Sequence, residues 1–200
     1  MNSFTNALLR YLTPAQLALI QSKKIGIGGA GGLGSNVAMI LTRTGFSNFE
    51  IIDKDTVEAS NLNRQDYTLA DIGLPKVAAL KKRMLSVNPD ALIITHHQSW
   101  DETAPQELFQ GCAMIVEAFD KAEWKTRFVD FYHDRAPYIV SGNGMAGFKT
   151  TTALTTRRVG NIYFIGDAAT GIEDGHPPLA PRVMECAAKM ANIILQLSCP

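Results

Sequence analysis

Residues 24–35 read Lys24-Ile25-Gly26-Ile27-Gly28-Gly29-Ala30-Gly31-Gly32-Leu33-Gly34-Ser35, and this stretch decides the fold. Lys24 to Gly28 predicts a short buried strand, and Gly29 to Ser35 a glycine-rich turn. The helix that follows carries apolar Val37, Ile40 and Leu41, and Gly45 is placed to end it. A second strand is expected at Phe49-Glu50-Ile51-Ile52-Asp53. Strand, turn, helix and strand, with the hydrophobic period switching between them, form the first unit of a parallel sheet.

The same alternation continues outward. A helix is expected over Pro75 to Ser86, then a strand from Ala91 to Thr95, a helix near Asp101 to Phe109 and the apolar strand Ala113 to Val116. A helix from Ala122 to Asp134 and a strand from Tyr138 to Ser141 come next. Upstream, Asn6 to Gln21 forms one helix or two, with Thr13 as an N-cap and Pro14 at the first helical position. Downstream, Lys149 to Thr156 and Asn161 to Ile165 read as a hairpin around Gly160. A Gly/Asp/Pro-rich loop, Gly166 to Pro178, then leads into a closing helix from Leu179 to Leu197. No repeat, low-complexity tract or linker interrupts the chain. The expected architecture is α/β: one doubly wound, Rossmann-like domain over residues 1–200, its mainly parallel sheet carrying a small antiparallel extension.

Composition narrows the function classes. With 19 basic and 19 acidic residues in 200, the formal charge is zero, so no bulk attraction to nucleic acid or an anionic membrane is expected. The N-terminal residues lack the apolar run of a signal peptide, and no stretch approaches a membrane span, so a cytoplasmic location is expected. Cys112, Cys186 and Cys199 form no C-x-x-C pair, which argues against a disulfide framework and a structural zinc site. Cys112 and Cys186 read as packing residues, and Cys199 as a reactive thiol on a disordered tail. His96, His97, His133 and His176 have no metal-ligand spacing.

Four signals carry chemistry. Gly29, Gly31, Gly32 and Gly34 lie between strand and helix, where glycines let the backbone approach a phosphate held by a helix N-terminus. Asp53 ends the next strand, where a carboxylate can accept bonds from ribose hydroxyls. To this point a nicotinamide dinucleotide fits equally well. The third signal is the run Asp53-Lys-Asp-Thr-Val-Glu-Ala-Ser-Asn61-Leu-Asn-Arg64-Gln65, followed by Gly73-Leu74-Pro75-Lys76. A triphosphate needs more neutralising groups than a dinucleotide as its α-phosphorus is attacked, and Arg64 and Lys76 would supply them. Asp55 reads as a solvated loop charge. The fourth signal is Asp120, which closes the strand ending Met114-Ile-Val-Glu-Ala-Phe-Asp120, at the end where these sheets bind ligands, and is the preferred Mg²⁺ ligand. Glu117 nearby is a second carboxylate or a polar strand end.

These residues, in this order, resemble the ThiF/MoeB group of the ubiquitin-activating-enzyme superfamily over about residues 22 to 121. Pro177 to Arg182 is similar to that family's approach to its last helix. The short chain looks most like the compact ThiF proteins of thiamine synthesis. The resemblance implies an ATP- and Mg²⁺-dependent adenylyltransferase. Asp53 would hold the ribose, the glycines admit the phosphates, and Asn61, Arg64 and Lys76 bind the triphosphate, with Asp120 on the metal. Its substrate would be the C-terminal Gly-Gly carboxylate of a ubiquitin-like sulfur carrier. It also implies a homodimer, with Arg10 the candidate for an arginine supplied across the interface.

Other readings remain open on the residues alone: an adenylating enzyme for a molybdopterin-type carrier or a tRNA, a silent half of a heterodimer, or a nicotinamide-dependent oxidoreductase. Two departures from the family stand out. The paired cysteines that bind zinc in longer relatives are missing, and the loop before the last helix has no cysteine.

Overall fold

The short apolar runs become strands because both faces of the sheet they enter are covered. The computed structural model describes residues 2–101, 104, 107–148, 153–171 and 175–199. Helices α1 (Ser3–Leu8) and α2 (Pro14–Gln21) precede β1 (Lys24–Gly28), α3 (Gly32–Thr44) and β2 (Asn48–Ile52). Then come α4 (Lys76–Val87), β3 (Leu92–His96), β4 (Met114–Glu117), α5 (Ala122–Tyr132) and β5 (Ile139–Gly142). The hairpin β6 (Thr155–Val159) and β7 (Ile162–Gly166) and the helix α6 (Ala180–Ser198) complete the chain. Thr13 caps α2 through a capping box with Gln16, and Gly45 ends α3 in the left-handed region.

The strands lie in the order β3-β2-β1-β4-β5-β7-β6. All neighbours are parallel except β6, which pairs antiparallel with β7 at the edge. The chain therefore winds from β1 outward through β2 to β3, then returns to the other side of β1 with β4. That reversal opens a crevice at the C-terminal ends of β1 and β4, the place where such sheets bind ligands. The expected α/β architecture with its antiparallel extension is present.

Two cores flank the sheet. On one face α3, α4 and α6 bury Val37, Leu41, Leu80, Met84, Cys186, Met190 and Ile194 over Ile25, Ile27, Phe49 and Val116. Each apolar side chain of this size contributes about 1.5–3 kcal/mol when fully buried. On the other, Trp100, Phe109, Phe128 and Tyr132 pack over Ile52, Ile115 and Ile139. The helix expected near Asp101 to Phe109 is not found among its described residues, and 102, 103, 105 and 106 lie outside them. Phe109 instead sits at φ 64° and donates its backbone N–H to Glu50. Its apolar end, Leu108 and Phe109, is buried in the core that covers this face of the sheet. Part of the expected hairpin strand, residues 149–152, also lies outside the described residues, and β6 begins at Thr155. No described helix is long and apolar enough to cross a membrane.

Candidate nucleotide site

The turn after β1 shapes the crevice floor. Gly29 has φ 95°, and a Cβ there would press on Ala118 O at 2.8 Å, because the chain leaving β4 passes directly behind it. A Cβ on Gly34 would overlap Gly29 O. Those two positions close the turn tightly. Gly31 differs: it N-caps α3, no side chain bonds the helix end, and only Gln65 Nε2 comes within 4 Å of where its Cβ would stand. The N-terminus of this 13-residue helix thus has no side-chain cap and open space beside Gly31, a geometry that favours an anion. The expected turn over Gly29 to Ser35 is shorter than predicted, since α3 already starts at Gly32.

Asp53 leaves the end of β2 beside this turn. Its Oδ2 accepts from Ala30 N at 2.6 Å and its Oδ1 from Asp55 N at 2.7 Å. Burial pushes its carboxyl above the ordinary value, against the pull of those two N–H groups and Lys76. Tyr67, buried, donates its hydroxyl to Ala30 O at 2.7 Å and lies 3.3 Å from Lys76 O. It therefore pins the glycine turn to the start of α4. Lys76 is buried there, with Nζ 2.9 Å from Asp55 Oδ2. Asp55 is thus not merely a solvated charge, although half of its side chain faces water.

Residues 59–66 form the opposite lip. Asn61 is buried and its Oδ1 accepts from Glu58 N, so its carbonyl caps its own 3-10 turn. Its Nδ2 has a single long bond, 3.5 Å to Ser60 Oγ. Arg64 donates Nη1 to Asn63 Oδ1 at 2.8 Å and to Ser60 O at 3.3 Å. Burial lowers the guanidinium's pKa, while the charge of Asp120 raises it. Asn63 Nδ2 reaches Pro178 O at 3.1 Å and ties this lip to the segment before α6.

Asp120 is exposed in the β4–α5 connection and makes no hydrogen bond among the described residues. Glu117 is the reverse. It is fully buried and accepts from Lys125 Nζ, Ser141 Oγ and Phe119 N, which occupies its oxygens. A lone exposed carboxylate suits Mg²⁺ held mainly by phosphates, and that describes Asp120 rather than Glu117.

The structure therefore brings together Gly29, Gly31, Gly32, Gly34, Asp53, Asn61, Arg64, Lys76 and Asp120. Arg10 is not among them. It is exposed after α1, whose Leu8 packs at Gly45, the far end of α3 and about 20 Å of helix from Gly31. Leu17 and Ile20 of α2, apolar residues near Arg10 in sequence, are buried in this chain's own fold.

Sequence reasoning missed a second buried pair. Asp167, after β7, accepts from Arg182 Nη2 at 2.6 Å, from Thr170 Oγ1, and from the N–H groups of Ala169 and Thr170. Burial alone would raise its carboxyl, but these partners hold it below the ordinary value. An aspartate, a threonine and an arginine spread over 16 positions carry no local signal. Cys112 and Cys186 are buried packing residues, their thiols pushed up to about 12 by burial. Cys199 is not a loose tail thiol: it is half-buried at the end of α6, 3.8 Å from Gln16 O.

The profile of the ThiF family matches residues 5–186. The chain is 28% identical over 190 residues to tRNA threonylcarbamoyladenosine dehydratase 2 of Saccharomyces cerevisiae, covering 93% of this chain and 40% of that protein. It is 37% identical over 115 residues to ubiquitin-like modifier-activating enzyme 5 of Aedes aegypti, covering 58% and 26%. The chain thus spans less than half the length of these relatives. Among solved structures, the E. coli tRNA N6-threonylcarbamoyladenosine dehydratase in complex with ATP superposes with a TM-score of 0.80 at 18% identity, over 96% of this chain and 93% of that one.

Proposed function

The chain belongs to the ThiF family, and from that premise we propose that it binds Mg-ATP in the crevice and transfers the adenylyl group to a substrate carboxylate. The observation that carries this reading is the uncapped N-terminus of α3 at Gly31, with Asp53 bonded to Ala30 N, Arg64 beside Gly32 and the start of α4 at Lys76 tied to the same turn through Tyr67. One cation would be ordinary surface charge. Two cations and a helix end at one opening fit a triphosphate better than a dinucleotide.

In the proposed reaction a carboxylate oxygen attacks the α-phosphorus in line. The bond from that phosphorus to the bridging oxygen breaks, and pyrophosphate leaves with the electron pair. The nucleophile is already ionised at neutral pH, so no general base is required. The protein's task is to position the reactants and stabilise charge. Asp53 accepts from the ribose hydroxyls through lone pairs not used by Ala30 and Asp55. Asn61 Nδ2, Arg64 and Lys76 donate to the phosphate oxygens, and Lys76 trades part of its pairing with Asp55 to do so. Asp120 would hold Mg²⁺, which when bound neutralises part of the phosphate charge.

Two substrate classes are supported. One is the terminal Gly-Gly carboxylate of a ubiquitin-like sulfur carrier, in line with the likeness to a ubiquitin-like modifier-activating enzyme. The other is a carboxylate carried on tRNA, favoured by the relatives named as tRNA threonylcarbamoyladenosine dehydratases. A threonylcarbamoyl group bears a free carboxylate, and losing water from it through an acyl adenylate would use the same chemistry. The zero net charge expected to disfavour nucleic acid does not outweigh those relatives. A homodimer, with Arg10 offered to the neighbouring site, completes the proposal.

ATP–pyrophosphate exchange tests it, run with a carrier with and without its Gly-Gly end and with tRNA bearing threonylcarbamoyladenosine. Exchange dependent on one of them names the substrate class. Mg-ATP binding without exchange on either removes both substrates, and NAD binding in place of ATP sinks the nucleotide assignment.

A further inference from the structure

Two loops leave the sheet on the side of β1 away from Asp53, residues 143–148 after β5 and residues 167–171 after β7. They cross so closely that glycine is needed at the crossing. A Cβ on Gly166 would overlap Asn143 O, and one on Gly144 would overlap Asp167 Oδ1. Backbone bonds close the seam: Asn143 N to Ile165 O at 2.7 Å, and Asp167 N to Gly144 O and Ala168 N to Asn143 O, each at 3.0 Å. Ala168 sits at φ 56°, a left-handed conformation that a residue with a Cβ disfavours. Strain of this kind persists only where the surroundings enforce it, and it gathers at functional sites.

Asp167 supplies the enforcement. Its side chain is fully buried. Oδ1 accepts from the N–H groups of Ala169 and Thr170, and Oδ2 from Thr170 Oγ1 and Arg182 Nη2. Four donors use the lone pairs of both oxygens, so the carboxylate has none left for a ligand and acts on backbone alone. The seam it locks stands against the end of α3 that opens to the nucleotide. A Cβ on Gly142 would overlap Leu33 Cδ1 in the first turn of α3. Val183, next to Arg182, lies 3.1 Å from where a Cβ on Gly32 would stand.

In the reaction proposed above, Asp53 takes the nucleoside on the β2 side, while Arg64 and Lys76 draw the leaving pyrophosphate to the lip. The acyl group then arrives from the remaining side, past the ends of β5 and β7. We infer that Asp167 is a positioning residue for the acyl substrate, locking the loops after β5 and β7 into one wall that guides the incoming carboxylate to the α-phosphorus. This rests on the adenylyl-transfer reading.

Asp167→Asn keeps the shape of the side chain and removes its ion pair with Arg182. The probes are a carrier ending in Gly-Gly and tRNA bearing threonylcarbamoyladenosine, of which the one that supports exchange in the wild type is used. Exchange is measured against its concentration at saturating Mg-ATP, below the variant's unfolding midpoint, with Mg-ATP affinity read separately by calorimetry. KM for the acyl substrate should rise about 10- to 100-fold, as for a reactant misplaced by about 1 Å, while Mg-ATP affinity stays within about 3-fold. Thr170→Val, which removes a single donor to Asp167, should shift the same constant by about 3- to 10-fold and serves if the asparagine variant fails to fold. An acyl-substrate KM equal to that of the wild type in a folded variant overturns the assignment, because a purely structural role lowers only the fraction folded. Mg-ATP affinity falling in step with the acyl-substrate constant also overturns it, since the network would then support α3 and not a substrate wall. A wild type that supports no exchange with either probe brings down the adenylyl-transfer reading itself, and this inference with it.

Discussion

On the β4–β7 side of the molecule, Glu117 and Asp167 accept bonds from Lys125, Ser141, Arg182, Thr170 and backbone N–H groups. On the β1–β2 side, Lys76 has one ion pair, Arg64 bonds only to its own loop, Asn61 keeps a weakly held amide and Gln65 has no side-chain partner. Both regions bury polar groups, and the difference lies in unused valence. Saturated networks hold backbone in place, whereas groups with bonds to spare at an opening are ready for a ligand. Burial alone does not identify a binding residue.

Asp167→Ala should break the saturated side hardest. It removes the acceptor shared by Arg182, Thr170 and two backbone N–H groups, a loss of about 3–5 kcal/mol in urea unfolding. A cost below about 1 kcal/mol would mean that the network is not structural. The unsaturated side should respond in activity instead. Arg64→Ala and Lys76→Ala are each expected to lower exchange by roughly 10²-fold, about 2.7 kcal/mol, as for deleting one charge-stabilising donor. Their urea midpoints should move far less than that of Asp167→Ala, and near-normal exchange would return both to ordinary surface charges.

Two glycines sharpen the contrast within one turn. Gly34→Ala drives a Cβ into Gly29 O and should cost about 1–3 kcal/mol of stability. Gly31→Ala meets open space, so stability should hold within about 0.5 kcal/mol while Mg-ATP binding weakens. Equal stability losses at both positions would show that Gly31 is only a packing glycine.

The smallest expected effect is in acid. Asp167 and Glu50 are both held below the ordinary carboxylate range. Their extra stability is complete above about pH 4, the unfolded value, and is lost as the pH falls through their lower folded values. Asp53 has the opposite sign. Its folded value is raised, so the cost of its charge is absent below the unfolded value and develops as the pH rises through the folded one. Urea unfolding from pH 7 down to pH 3 should show the gap between wild type and Asp167→Asn shrinking. The stability of Asp53→Asn relative to wild type should rise with pH. A constant gap for Asp167→Asn would deny that its carboxylate is stabilised by the fold.

The first βαβ unit was legible because its signals are local. The turn glycines, the Gly45 stop and the strand starting at Lys24 depend on residues within a few positions of one another. The segment from Asp101 to Phe109 misled because the pair Leu108 and Phe109 that covers the sheet face reads the same whether its backbone is helix or loop. Glu50, far away in sequence, then fixes Phe109 at a positive φ. The crevice residues were legible as a set from their resemblance to a known pattern. The partnership of Asp55 with Lys76, the pinning by Tyr67 and the orphaned amide of Gln65 were not. Each of these is defined by what lies across space, and a sequence window does not carry that.

Helix α6 packs along α3, the helix that opens at the phosphate turn. Its buried residues Val183, Cys186, Met190 and Ile194 come from the last part of the chain, while Val37 and Leu41 beneath them come from the first quarter. This is a high-contact-order pairing, and such pairings form late because most of the chain must be ordered before they close. On the ribosome, strands β1 to β5 would emerge with the outer side of α3 still bare. A nascent chain would hold every residue of the crevice before it held the helix that braces them. The support of α3 therefore arrives with α6, and a chain stalled short of that helix presents an apolar stripe to chaperones.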